Sequence, residues 1–262
     1  AYEIKECDWS SDVCSSDLVM LLGRKHHVPF DIREAPEGDV MLPAEIVSTY
    51  RDFLEAVEAA TRRGSTAEDL TQGHSLIADP LAREIQLKFP GYARDRLNEL
   101  REVLRTSYDE EQRAAAYILG YAARKNDVVD DLQFALRDAD LGVRANGVRA
   151  LLAVAIYARL NPDASLRIEP TWFIEMLNSL SWSDRDHALH ALEVLTDKRD
   201  APTLNLLRER ALPALIEMSR WKTLAHALPA FILTGRIAGW SEQQIQDAWS
   251  KGDREGLITA VR

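Results

Sequence analysis

Cysteine is nearly missing from this 262-residue chain. Only Cys7 and Cys14 occur, both near the start, and residues 19–262 have none. That absence excludes a disulfide framework, a zinc ribbon and a cysteine nucleophile from the bulk of the chain. Long apolar runs are missing as well. The longest, Ala150 to Ala158, contains Tyr157 and stops at Arg159, short of the roughly 18 to 20 residues that cross a bilayer. A soluble chain with no membrane span is expected. Basic residues are in deficit, 32 against 42 acids, giving a net charge of −10. Such a balance repels phosphate backbones and disfavours nucleic acid as a partner unless a basic patch is segregated on one face. The phosphate-loop pattern, the dinucleotide pattern Gly-x-Gly-x-x-Gly, the nucleophile elbow Gly-x-Ser-x-Gly and the zinc pattern His-Glu-x-x-His are all absent. What remains is an ordinary globular composition, 46% hydrophobic and 28% charged, with ample length for a core.

Residues 7–18 read CDWSSDVCSSDL. At all twelve positions this string resembles a translated sequencing adaptor. The resemblance implies that residues 1–18 are a non-native segment, to be set aside in reasoning about the fold. Cellular location, cytoplasmic or exported, is left open.

Residues 19–43 include Pro29, Pro36, Pro43 and Gly38, a composition that favours irregular or extended structure. From residue 44 the pattern turns helical. Ile46, Tyr50, Phe53, Leu54 and Val57 recur at helical spacing as far as Gly64, a helix stop. Ser65 and Glu68 have the spacing of a capping box, which predicts a helix start there, and a further helix is expected over Pro80 to Phe89. Residues 44–91 thus read as an N-terminal helical region.

Residues 92–240 contain an internal repeat. With Arg113, Arg144 and Arg185 aligned, small residues stand three positions later: Ala116, Gly147 and Ala188. Seven positions later come Gly120, Leu151 and Leu192, and ten positions later Ala123, Val154 and Leu195. Leu104, Leu136 and Leu177 precede the arginines, and Leu100, Leu132 and Phe173 lie one helical turn before those. Each unit is a helix, a short polar turn and a second helix. A pair this short cannot bury its apolar stripe alone, so it must stack on a neighbour, and small residues permit close approach. Ser107 with Glu110, Asp140 and Ser183 supply cap chemistry in the turns.

The stretches YDEEQRAAAYILGYA, DADLGVRANGVRALLAV and WSDRDHALHALEVL resemble the second helices of HEAT repeats. A fourth unit, ALIEMSRWKTLAHALPAFILTGRIAG, keeps the two-helix outline but carries His226 in place of the arginine and Pro229 in place of the small residue. Residues 241–262 read as C-terminal capping helices, the first with Ser241 and Gln244 at capping spacing. The resemblance implies an all-α chain, a right-handed superhelical solenoid of HEAT-like helix pairs with a helical N-terminal cap. It implies a surface for a protein partner, since this scaffold hosts many roles. Metal-dependent hydroxylases of HEAT type use His-Glu pairs as iron ligands, and no His-Glu dipeptide occurs.

No catalytic, cofactor or metal residues are assigned. His187 and His190 share one helix, and His226 holds a matching place in the next unit. Three imidazoles would suit a metal, but without a carboxylate at ligand spacing they read as polar positions beside Ala188 and Ala191. Gly73-His74-Ser75, between Asp69 and Asp79, reads as turn chemistry ahead of a nucleophile and base. The five tryptophans beyond the adaptor-like string lie between Trp172 and Trp249. Trp182, Arg185, Arg220, Trp221, Lys222 and His226 are the candidate partner-binding residues, because Trp and Arg dominate binding hot spots. The competing reading, the favoured one, has the rings covering the core where helices diverge, with arginine stacked on them. A non-catalytic scaffold for a protein partner is the leading expectation. The alternatives are HEAT-like enzymes: a DNA alkylation-repair glycosylase, which the acidic charge opposes, or a chromophore lyase, which would co-purify with colour.

Overall fold

A computed structural model describes residues 30–107 and 109–262. The adaptor-like string, with Cys7, Cys14 and Trp9, lies outside the described residues. The chain is all-α in class, 68% helix, with strand limited to a two-residue pair. It divides into two compact units, Ile32–Ile168 and Glu169–Arg262.

In the first unit, residues 32–43 carry no helix or strand. This segment is tied down by Arg33, whose guanidinium lies 3.4 Å from the Phe134 ring centroid and pairs with Asp138 at 2.8 Å. A side chain at Gly38 would strike the Thr106 carbonyl, so glycine is required there. Helix α1 (Ala44–Arg62) buries Ile46, Tyr50, Phe53 and Val57 on one face and ends before Gly64, whose φ is +75°.

The expected helix start at Ser65 is not formed. Glu68–Asp69 and Leu76–Ile77 instead make a short antiparallel pair, β1 and β2, with Glu68 opposite Ile77. The reason is a long-range partner: the Glu68 carboxylate is taken by Arg149 in a largely buried ion pair. The cap falls to Asp79, which accepts from the backbone amides of Leu81 and Ala82 and opens α2 (Pro80–Gln86) with proline in its first turn. Helix α3 (Phe89–Asp95) follows.

Two helix pairs complete the unit. Helix α4 (Leu97–Thr106) packs on α5 (Asp109–Leu119), and α6 (Val129–Ala135) packs on α7 (Leu141–Leu160). The pairs stack like on like, α4 against α6 and α5 against α7. Small residues mark the close approaches. A Cβ on Gly147 would sit 3.0 Å from the Ala135 Cβ, and one on Gly120 would sit 2.8 Å from the Ala150 Cβ. Arg113 reaches across to Asp140, the aspartate that caps α7, with two hydrogen bonds of 2.8 and 2.6 Å. The repeat arginine of one pair therefore holds the helix cap of the next. Helix α7 is long and apolar enough to cross a membrane, yet 67% of that stretch is buried inside the protein. Arg144 within it is buried and donates to the carbonyls of Asp138 and Ala139, the behaviour of a core helix.

The second unit repeats the arrangement. Helix α8 (Thr171–Met176) packs on α9 (Trp182–Leu195), and α10 (Ala201–Ser219) packs on α11 (Leu224–Ile237). Helix α8 also meets α10, and α9 meets α11. Helices α12 (Glu242–Ser250) and α13 (Arg254–Val261) cover α11. The first opens on a complete capping box, with Ser241 and Gln244 each bonding the other's backbone amide. Gly235 admits Ile245 against the α11 backbone, beside a cluster of Phe231, Ala248 and Leu257.

Candidate functional site

Helix α10 buries Leu207, Ala211, Leu215 and Met218 and so leaves the opposite face free. Leu212, Pro213 and Ile216 lie on that side. With Glu217, Arg220, Trp221 and Arg262 they line an open groove of about 550 Å³ in the second unit, within the range typical of ligand sites. Its floor is aliphatic. Its rim carries charge of both signs.

The groove wall is built from beneath. Arg185, on α9, is 0% exposed and sends its guanidinium to the Glu217 carboxylate at 2.9 and 3.4 Å. The same guanidinium lies 5.3 Å from the Trp221 ring centroid, and the Trp221 indole N–H donates to Glu217 at 3.4 Å. Arg185 thus fixes Glu217 and Trp221 together, which is cation–π packing joined to a charge-assisted hydrogen bond. Arg220 forms a two-point pair with Glu255, at 2.7 and 2.6 Å. That hydrogen bond holds the Arg220 pKa above, and the Glu255 pKa below, their ordinary values.

The six residues singled out from sequence therefore separate. Arg220 and Trp221 line the groove and Lys222 is exposed beside them. Arg185 is wholly buried and has no surface to offer; it positions its neighbours. Trp182 and His226 meet elsewhere in the unit, ring edge to ring face at 4.7 Å between centroids. His226 Nδ1 lies 3.3 Å from Asp186, and His190 Nε2 lies 3.9 Å from the other oxygen of the same carboxylate. His187 turns to Ser183. Among the described residues no three His, Cys, Asp or Glu side chains are placed to hold a metal ion. The groove floor was not singled out from sequence. The available signal was Pro213 inside an otherwise helical pattern, with Leu212 and Ile216 beside it in excess of the buried stripe.

The first unit holds a second, smaller feature. His74, Ser75, Tyr117, Tyr121, Asn146 and Arg149 are among the residues that line a half-enclosed pocket with about 10 Å³ of free space, room for one water-sized guest. Gln86 donates to both tyrosine hydroxyls, at 3.1 and 2.6 Å, and Tyr121 donates to the Ser75 carbonyl at 2.9 Å. Burial raises the pKa of both phenols. The Ser75 hydroxyl is buried with no hydrogen-bond partner among the described residues. His74 stacks on Tyr121 at 5.1 Å, and burial, with the nearby Lys125 charge, lowers its pKa to about 4. Ser75 and His74 are neighbours here, but no hydrogen bond joins their side chains among the described contacts.

Comparison with protein-family models, with curated proteins and with solved structures returns no match. The functional reading rests on the chain's own geometry.

Proposed function

We propose that this chain is a non-catalytic interaction protein built from HEAT-like helix pairs, which seats an apolar segment of a protein partner in the α10–α13 groove. The observation that carries this reading is the groove itself: Leu212, Pro213 and Ile216 turned away from the core, beside a tryptophan pinned by a buried arginine. Exposed aliphatic surface next to a rigid Trp and Arg is the composition of a binding hot spot. Arg220 is already paired with Glu255, so Arg262 on the rim is the cation that favours a carboxylate in the partner segment beside its apolar side chains.

The repeat assignment draws support from the like-on-like stacking in each unit and from repeat arginines that reach the next helix pair, Arg113 to Asp140 and Arg185 to Glu217. In our reading the pairs within each unit wind as a right-handed superhelical solenoid of HEAT-like pairs. The acidic net charge of −10 weighs against the DNA-repair alternative, which requires a basic face.

The test uses Ile216→Asp, which places a charge on the groove floor without touching the core. A protein captured from extract of the source cells by the wild-type chain is purified, and its Kd is measured for both forms. The reading expects at least a tenfold loss of affinity, about 1.4 kcal/mol. Equal affinity for the two forms would remove the groove as the docking site.

A further inference from the structure

The groove's rim already holds a carboxylate, and it belongs to this chain. Glu255, in the first turn of α13, takes the Arg220 guanidinium at two points, 2.7 and 2.6 Å. Both partners stand in water, with 41% of the Arg220 side chain and 66% of the Glu255 side chain exposed. The Arg220 hydrogen bond, with the Arg220 and Arg262 charges, holds the Glu255 carboxyl below its ordinary value. Two groove-lining arginines, Arg220 and Arg262, thus converge on one carboxylate. The other rim acid, Glu217, is engaged by Arg185 and Trp221. Helix α13 has other anchors than this pair. Leu257, Ile258 and Val261 are buried, Arg254 donates to the Trp221 carbonyl at 2.8 Å, and Arg208 donates to the Val261 carbonyl at 2.9 Å. An exposed pair contributes little to stability, and another carboxylate of the same geometry can take its place on the guanidinium.

We infer that Glu255 is a built-in competitor at the docking site: the partner segment is acidic as well as apolar, and its carboxylate displaces Glu255 from Arg220. This inference rests on the groove reading above. Apolar side chains of the segment cover Leu212, Pro213 and Ile216, and an aspartate or glutamate beside them takes the Arg220 fork with Arg262 alongside. A basic segment gains nothing at this rim. Glu255 lowers the affinity for any acidic segment, so only one that also fills the aliphatic floor binds well.

The alternative is that Glu255 only positions Arg220. Short random peptides displayed on phage, selected on the wild-type chain and depleted on Ile216→Asp, separate the two. The enriched peptides should combine aliphatic side chains with Asp or Glu. Their Kd, from the fluorescence anisotropy of labelled synthetic copies, should fall about two- to fivefold in Glu255→Gln, the range that an exposed pair spans. That gain should vanish when Arg220→Met is added. Glu84→Gln, the same charge change at an exposed site in the other unit, should not produce it. A basic or uncharged consensus would overturn the inference and leave the groove reading standing. So would an equal or weaker affinity in Glu255→Gln. Finding no peptide that is lost on Ile216→Asp would overturn both.

Discussion

Replacing Arg185 tests the groove wall and the packing behind it in one experiment. Its guanidinium is fully buried, but its partner Glu217 keeps 37% of its side chain exposed. Breaking a fully buried pair costs about 3–5 kcal/mol, because a charge is stranded without water. Here the orphaned carboxylate can rehydrate, which reduces that cost. Arg185→Met fills the same space and loses the hydrogen bonds and the cation–π contact, so about 1–2 kcal/mol is expected. Arg185→Ala also leaves a cavity between α9 and α10 and should cost about 3–4 kcal/mol. Five of the six tryptophans lie in the second unit, so urea unfolding followed by tryptophan fluorescence reports on this unit. The order wild type, Met, Ala is the expectation. A double-mutant cycle with Trp221→Phe should show coupling of about 0.5–1 kcal/mol between the two residues. If both Arg185 variants unfold within about 0.5 kcal/mol of wild type, Arg185 does not hold the wall and the account of the groove fails.

Three other outcomes are expected. His74 has a folded pKa of about 4, below its unfolded value of 6.5; the unfolded chain therefore binds the proton more readily, and stability is lost as pH falls from about 6.5 to about 4. Half-exposure discounts the effect to about 1–2 kcal/mol, so His74→Gln should flatten that part of the denaturation profile relative to wild type, and an unchanged slope would count against it. Gly120→Ala drives a Cβ to 2.8 Å from the Ala150 Cβ, where neither side chain can rotate away. A loss of about 1–3 kcal/mol is expected, and adding Ala150→Gly should recover most of it; failure of that rescue would place the strain elsewhere. Ser241→Ala removes the α12 capping box and should cost about 1 kcal/mol in thermal unfolding, while Ser241→Asp should stay near wild type.

What could be read from sequence was what leaves a local or periodic mark. The Asp140 and Ser241 caps act within three residues of themselves, and both bond as their spacing implies. The small residue Gly147 falls where two helices approach, since only such a site forbids a side chain. What failed depended on distant partners. Ser65 and Glu68 have capping-box spacing, but Arg149 lies far along the chain and claims the glutamate. Arg185 carries the repeat's sequence mark, yet its complete burial follows from α10 lying over it, which no neighbouring residue encodes. The groove floor escaped notice because Leu212 and Ile216, one turn apart, read like any other part of a buried stripe.

Cross-linking tests directly whether a protein partner sits in the α10–α13 groove. A photo-reactive phenylalanine at Ile216, on the groove floor, is compared with the same group at Glu84, exposed on α2 in the other unit. After irradiation in source-cell extract, the account predicts one dominant protein adduct from position 216 that is absent from position 84. Adducts of the same pattern from both positions, or none from position 216 while position 84 yields one, would contradict it.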